Sequence, residues 1–401
     1  MEGQPEHKLD VLGWLGEALE ELDRRSLRRM RRCRQSPQGR TIWLDGRELV
    51  NFGSNDYLGL AGDPRLAEAV RHGLEKEGWG SGASALVCGR SSAHAALEEA
   101  LAKFEGCEAA LVFPTGFAAN AGTIAALVGP GDAVYCDRKN HASIIDGCKL
   151  SRADFRVFPH SDVDTLDRLL AKPHKHRRRL VVTDTLFSMD GDLAPIPQLV
   201  EVCERHHAIL MVDEAHATGV FGDRGRGVVE FFGVEQRVPV RVGTLSKALG
   251  SVGGFVVGSR ELIEWLVQKA RPYMFSTALP GVACYAAVAA LEIVKQEPYR
   301  RALVLQRAEL LRETLKRNGW DVGRSSSQII PIVVRQPEVA LSLARFLETR
   351  GLFVPAIRPP AVPDEEACLR VSVTFQHQDG DLHQLVEALG EARRTVGLGD
   401  A

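Results

Sequence analysis

Between residues 51 and 279, short apolar runs alternate with stretches of helical periodicity, and this alternation constrains the fold more than any other feature. The runs cover residues 109–113, 133–136, 155–158, 180–183, 208–212, 240–243 and 255–257. A strand buried on both faces reads as a near-continuous apolar run, because helices cover it above and below. Runs separated by helix-length segments are joined by crossovers, which predicts an α/β fold with a mostly parallel seven-stranded sheet covered by helices. In such sheets ligands collect outside the carboxyl ends of the strands. The chemistry is therefore sought just after each run.

Three regions follow from the pattern. Residues 1–50 predict an N-terminal helical arm, in which Leu12, Leu15, Leu19, Leu22 and Leu27 recur at roughly helical spacing. Acidic residues come first and a basic cluster from Arg24 to Arg34 follows, an order that suits the helix dipole. The arm reads as a solvated helix packing on the body. Residues 51–281 predict the large sheet domain. Residues 282–401 change rhythm: a helical stretch over 282–294, apolar runs at 329–334, 352–354 and 369–373, a helix near 339–350 and a closing helix predict a smaller C-terminal α/β domain.

The chain of 401 residues, 45% hydrophobic and 25% charged, has the balance of a globular protein with room for several lobes. Its formal charge of −2 supplies no global field toward nucleic acid or a membrane surface, so a small-molecule partner is expected. None of the eight cysteines forms a C-x-x-C pair, and no metal site is expected. The start of the chain carries Glu2, Glu6, Lys8 and Asp10 and lacks the apolar centre of a signal peptide. The longest apolar stretch, 282–290, is far short of a membrane span. A reduced, cytoplasmic protein is the expectation. The basic stretch 172–179 reads as a solvated loop before a strand.

Five segments that follow strands carry polar groups. Asp213 ends the apolar run of AILMVDEAH; buried there, its carboxylate needs a cationic partner, which a protonated pyridine nitrogen or an arginine would supply. His216 lies three residues further on. Lys247 stands in VGTLSKALGSVGG among small residues, where desolvation lowers an amine's pKa toward use as a nucleophile. The hydroxyls of Thr244 and Ser246 are candidate phosphate donors, although the G-x-x-x-x-G-K-[ST] pattern is absent. Thr115, Gly116 and Phe117 place a helix N-terminus at a strand's carboxyl end, a ready anion site. His141, in Asn140-His141-Ala142-Ser143, is suited to stack on a planar ring, and Ser188, in FSMDGD, to donate to a phenolic oxygen. Each segment alone is ordinary; together they converge on one edge of the sheet.

Taken together, these segments, with SNDYLGL at 54–60, GSG at 80–82 and AIRPP at 356–360, resemble a fold-type I pyridoxal-5′-phosphate (PLP) transferase, and more narrowly the α-oxoamine synthase family. The resemblance spans nearly the whole chain. It implies that PLP is held covalently by Lys247, paired at its ring nitrogen with Asp213, stacked on by His141 and contacted at its phenolic oxygen by His216 and Ser188. Thr115, Gly116, Phe117 and Thr244 would cradle the phosphate, and Ser276 and Thr277 would reach the phosphate of a second subunit in a homodimer with shared sites. Lys247, His141, Asp213 and His216 are the expected catalytic groups. Arg358 is the implied clamp on the amino acid carboxylate, with Asn55 and an arginine of the arm, Arg28 or its neighbour Arg29, lining the substrate site. The 356–363 segment is most similar to members that condense L-alanine with a pimeloyl thioester on coenzyme A or acyl carrier protein. Members that take glycine and a smaller acyl-CoA are the alternative. The basic cluster from Arg24 to Arg34 is suited to an acidic carrier protein. The chain departs from the family's usual residues at Ala85, Cys88, Ala217 and Val252.

Overall fold

The computed structural model describes residues 11–396; the signal-peptide reading of the first residues lies outside that range. Seven strands form the central sheet: β1 (Ala109–Phe113), β2 (Ala133–Asp137), β3 (Asp154–Phe158), β4 (Arg179–Asp184), β5 (Ile209–Asp213), β6 (Val240–Thr244) and β7 (Gly254–Gly258). Their spatial order is β1-β7-β6-β5-β4-β2-β3. Neighbours run parallel except β7, which is antiparallel to both β1 and β6. The expected mostly parallel sheet is thus present: β1 coincides with its run, β5 is shifted by one residue, and the other strands extend their runs by one or two residues. Apolar side chains on its two faces belong to separate clusters. Tyr135, Val181 and Val212 face one, and Val134, Val182 and Met211 the other. Alternate residues of one strand point to opposite faces, so the two layers of helices each receive their own core.

The helix Gly281–Gln296 packs against Pro64–Glu77 and Ser92–Glu105, and its Ala287, Ala290 and Leu291 enter the large-lobe core. By packing, the change of lobe follows this helix rather than preceding it at residue 281. The long helix Tyr299–Arg317 then crosses to the smaller lobe. There Ile329–Arg335, Ala367–Ser372 and Ala356–Ile357 form an antiparallel sheet in that order. The helices Pro337–Thr349 and Asp379–Val396 contribute Leu343, Leu347, Leu385 and Leu389 to its core. The hairpin Thr41–Leu44 and Arg47–Asn51 is joined in parallel by Leu352–Phe353, tying the segment after the arm to this lobe.

The arm departs from expectation. Its helix, Trp14–Arg24, buries none of its residues, and Leu15, Leu19 and Leu22 are exposed. Of the five leucines at helical spacing, only Leu27, beyond the helix, is buried. The basic stretch is, as expected, a mostly exposed loop before a strand, and its exposed Arg177 and Arg178 pair with the fully buried Asp132. Among the described residues no helix is long and apolar enough to cross a membrane.

Candidate active site

At the carboxyl edge of the sheet lies a cavity of about 170 Å³, lined by Gly116, Phe117, Asn120, His141, Ser143, Asp184, Asp213, His216, Thr244 and Lys247 among others. Asp184 and Asp213 terminate β4 and β5 and are register partners across the ladder, so the parallel pairing itself sets two carboxyl groups side by side. Thr244 ends β6, and the tight turn after it returns Lys247 to the same edge.

Lys247 is half-buried, and desolvation of its amine, against the pull of Asp213 and Asp184, pushes its pKa down to about 8. Its Nζ lies 2.8 Å from His216 Nε2, and His216 Nδ1 lies 2.7 Å from the Tyr57 hydroxyl. Burial, with the nearby charges of Lys247 and Arg370, holds His216 well below the usual imidazole range, so the ring is neutral. A protonated Lys247 donates to Nε2, which leaves the proton on Nδ1 facing Tyr57. The charge of the amine therefore selects the tautomer of His216.

Asp213 is buried, and both its donors are neutral: Asn120 Nδ2 donates to Oδ2 at 2.6 Å and the Ala215 amide to Oδ1 at 2.7 Å. A carboxylate so enclosed calls for a cation across the cavity. Asp184 behaves differently. Burial and the adjacent Asp213 raise its carboxyl well above the ordinary range, and its Oδ2 accepts from the His141 amide at 2.7 Å. His141 caps the helix Ala142–Ser151, its Nδ1 2.7 Å from Ser143 Oγ, and Asn120 Nδ2 also donates to that hydroxyl. Burial lowers the His141 pKa. Asn120 thus couples Asp213 to the support of His141.

Thr115 caps the helix Gly116–Leu127, accepting from the Ala118 amide at 3.0 Å. The first amides of a helix have no partner within it and form an anion site here beside Thr244. A side chain at Gly254 would come within 2.6 Å of Gly116 Cα and the Thr115 carbonyl, so only glycine allows β7 to press on this turn. A buried carboxylate with neutral donors, a desolvated amine and a helix N-terminus around one cavity fit the pyridinium, aldehyde and phosphate of PLP.

The remaining expected residues divide. Ser188 lines a second, wider cavity of about 780 Å³, which meets the first at His141; its carbonyl accepts from Arg370 Nε at 2.5 Å. Asn55 Oδ1 accepts from Arg370 Nη1 at 3.1 Å. The guanidinium of Arg358 donates to the Ser26 carbonyl of the arm, and the residue lines neither cavity. The buried guanidinium near Lys247 and His216 is Arg370, held by Asn55, Ser372 and Tyr57. Arg28 pairs with Asp23 at 2.5 Å outside both cavities, and Arg29 donates to the carbonyls of Arg358 and Pro359; Arg25 and Leu27 are the arm residues on the wider cavity. Ser276 and Thr277 are exposed, and Thr277 bridges to Ser84. Tyr57, Asn120, Ser143, Asp184 and Arg370 were not read from the sequence. For Asp184 the signal was present, because it ends an apolar run as Asp213 does.

The chain belongs to the class I and II aminotransferases, whose family model matches residues 47–389. Within that class the chain belongs to the family of 8-amino-7-oxononanoate synthases. It is 50% identical over 379 residues to the 8-amino-7-oxononanoate synthase of Anaeromyxobacter dehalogenans, covering 94% of this chain and 95% of the relative. Among solved structures, serine palmitoyltransferase from S. paucimobilis with bound PLP and myriocin superposes with a TM-score of 0.92 at 32% identity, over 96% of this chain and 98% of that one. The 8-amino-7-oxononanoate synthase of Francisella tularensis gives 0.75 at 28% identity, over 87% and 98%.

Proposed function

We propose that this chain is a PLP enzyme that condenses L-alanine with a pimeloyl thioester, giving 8-amino-7-oxononanoate, CO₂ and the free thiol carrier, a step of biotin formation. The observation that carries the reading is the placing of Lys247 and Asp213 on one small cavity, the amine depressed by burial and the carboxylate served by neutral donors only. Lys247, Asp213, His141, His216, Gly116, Phe117, Thr115 and Thr244 would hold the cofactor. Bound there, PLP supplies an electron sink for the pair left on the α-carbon.

The protein's part is proton transfer and orientation. Lys247, neutral above about pH 8, takes the α-proton and later returns one to the same carbon. Asp213, fixed by Asn120 and Ala215, stabilises positive charge at the ring nitrogen. His141 borders both cavities and sits where amino acid and acyl thioester meet. The α-carbon attacks the thioester carbonyl and expels the thiolate; the amino acid carboxylate then leaves as CO₂. Arg358 and Arg370 are the two guanidiniums whose fork would align that carboxylate bidentately; neither lines a cavity, and Arg370 is the one buried near Lys247 and His216. A homodimer, with Ser276 and Thr277 facing the partner's cofactor phosphate, belongs to the same reading and is supported by the exposure of that segment.

Steady-state kinetics with alanine or glycine, each offered pimeloyl- or acetyl-CoA, test it. Alanine with pimeloyl-CoA is expected to give the highest kcat/KM. A clear win for glycine with acetyl-CoA contradicts the assignment.

A further inference from the structure

The wider cavity has a chemistry that the condensation itself does not use. Its wall from Pro359 to Pro363 is apolar, and His141 and Ser188 mark the end nearest the reacting atoms. Three cations also line it, and they are not equivalent. Lys139 is engaged twice, with Asp190 at 2.6 Å and Glu366 at 2.8 Å. The side chains of Arg25 and Arg138 make no hydrogen bond or ion pair among the described residues. Asp364 is the one lining carboxylate that Lys139 does not neutralise. Two guanidiniums against one carboxylate leave the cavity with a surplus of fork-shaped donors, which match a carboxylate or phosphate.

Resting on the function proposed above, we propose that Arg25 and Arg138 receive an anionic group of the acyl donor remote from the reacting carbonyl, and that this group is the distal carboxylate of the acyl chain. The enzyme then selects a dicarboxylic half-thioester over a monocarboxylic one of equal length. Arg25 comes from the arm and Arg138 from the loop after β2, so the arm takes part in choosing the substrate. Carrier phosphates share the chemistry and are separated by the test.

The PLP-loaded enzyme is assayed with alanine and four donors: pimeloyl and heptanoyl groups, each on coenzyme A and on phosphate-free N-acetylcysteamine. The wild type is expected to prefer pimeloyl over heptanoyl by at least about tenfold in kcat/KM on both carriers. Arg138→Gln and Arg25→Gln are each expected to cut that ratio about five- to tenfold on both carriers, with the KM for alanine unmoved. Variants that slow pimeloyl and heptanoyl equally overturn the proposal, as do variants whose effect is confined to the coenzyme A donors, which assigns the arginines to carrier phosphates. No product from any donor with alanine would overturn the proposed function instead, a result distinct from an unchanged ratio.

Discussion

A single ion decides the chemistry at Asp213, because its two hydrogen-bond donors are neutral and leave its charge for the ligand. Asp213→Asn keeps the shape and removes the charge, so kcat with alanine and pimeloyl-CoA is expected to fall roughly a hundred- to a thousandfold in a steady-state assay. Lys247 gives a pH prediction. Its pKa near 8 lies below the ordinary lysine value, so the amine is protonated and unreactive below pH 8 and neutral above it. The rate at which cofactor-free protein takes up PLP, followed by absorbance, should rise about tenfold per unit up to pH 8 and then level. Asp213 and Lys247 were legible because each follows an apolar run closely. Asp184 offered the same signal at the end of β4 and was passed over. Tyr57 and Arg370 were not legible, since an aromatic in an irregular turn and an arginine inside a strand join the site only through packing between lobes. Arg358 was legible only through the resemblance of its segment, and its bond to the Ser26 carbonyl of the arm could not be read from the sequence.

Secondary-structure elements deliver these residues, and two of them can be tested. Gly254→Ala would drive β7 against the backbone of Gly116 and Thr115, with no flexible side chain to yield. PLP affinity, measured by fluorescence titration, is expected to weaken at least about tenfold, by analogy with other overpacked sites. His160, in the loop after β3, ties the end of β2 to the loop after β4: its Nδ1 lies 3.0 Å from Asp137 and its Nε2 3.0 Å from Asp192. Burial alone would lower this imidazole, but the two carboxylates overcome it and raise the pKa to about 9. A raised pKa means that the stabilisation is complete below the unfolded value near 6.5 and is lost as pH climbs through 9. His160→Gln should therefore lower Tm by about 2–4 °C at pH 6 and by much less at pH 9.5, read by calorimetry. The seven strands were legible because burial on both faces leaves an unbroken apolar run. The helix Tyr299–Arg317 was not, since it buries Arg300, Arg301 and Arg312 and so breaks the apolar stripe that marks a helix.

At the scale of the whole molecule, one chain leaves large apolar side chains uncovered: Trp79 is 71% exposed, Val87 77% and Phe275 66%, besides the apolar face of the arm helix. The homodimer proposed above would cover such a surface. Phe275→Asp, placing a charge beside Ser276 and Thr277, is expected to shift the sedimentation coefficient toward the monomer and to lower PLP occupancy with it; a dimer unchanged by the variant would put the contact elsewhere. The arm was read as packed on the body because amphipathic spacing shows that a face must be covered, not by which surface. The central claim is that Lys247 and Asp213 grip one planar ligand. It is tested most directly by reducing the PLP-loaded protein with borohydride and mapping the modified peptide by mass spectrometry, in the wild type and in Asp213→Asn. The account predicts a phosphopyridoxyl group on Lys247 alone in both, with the visible absorption before reduction shifted in the variant. A label on another lysine, or a spectrum indifferent to position 213, would contradict it.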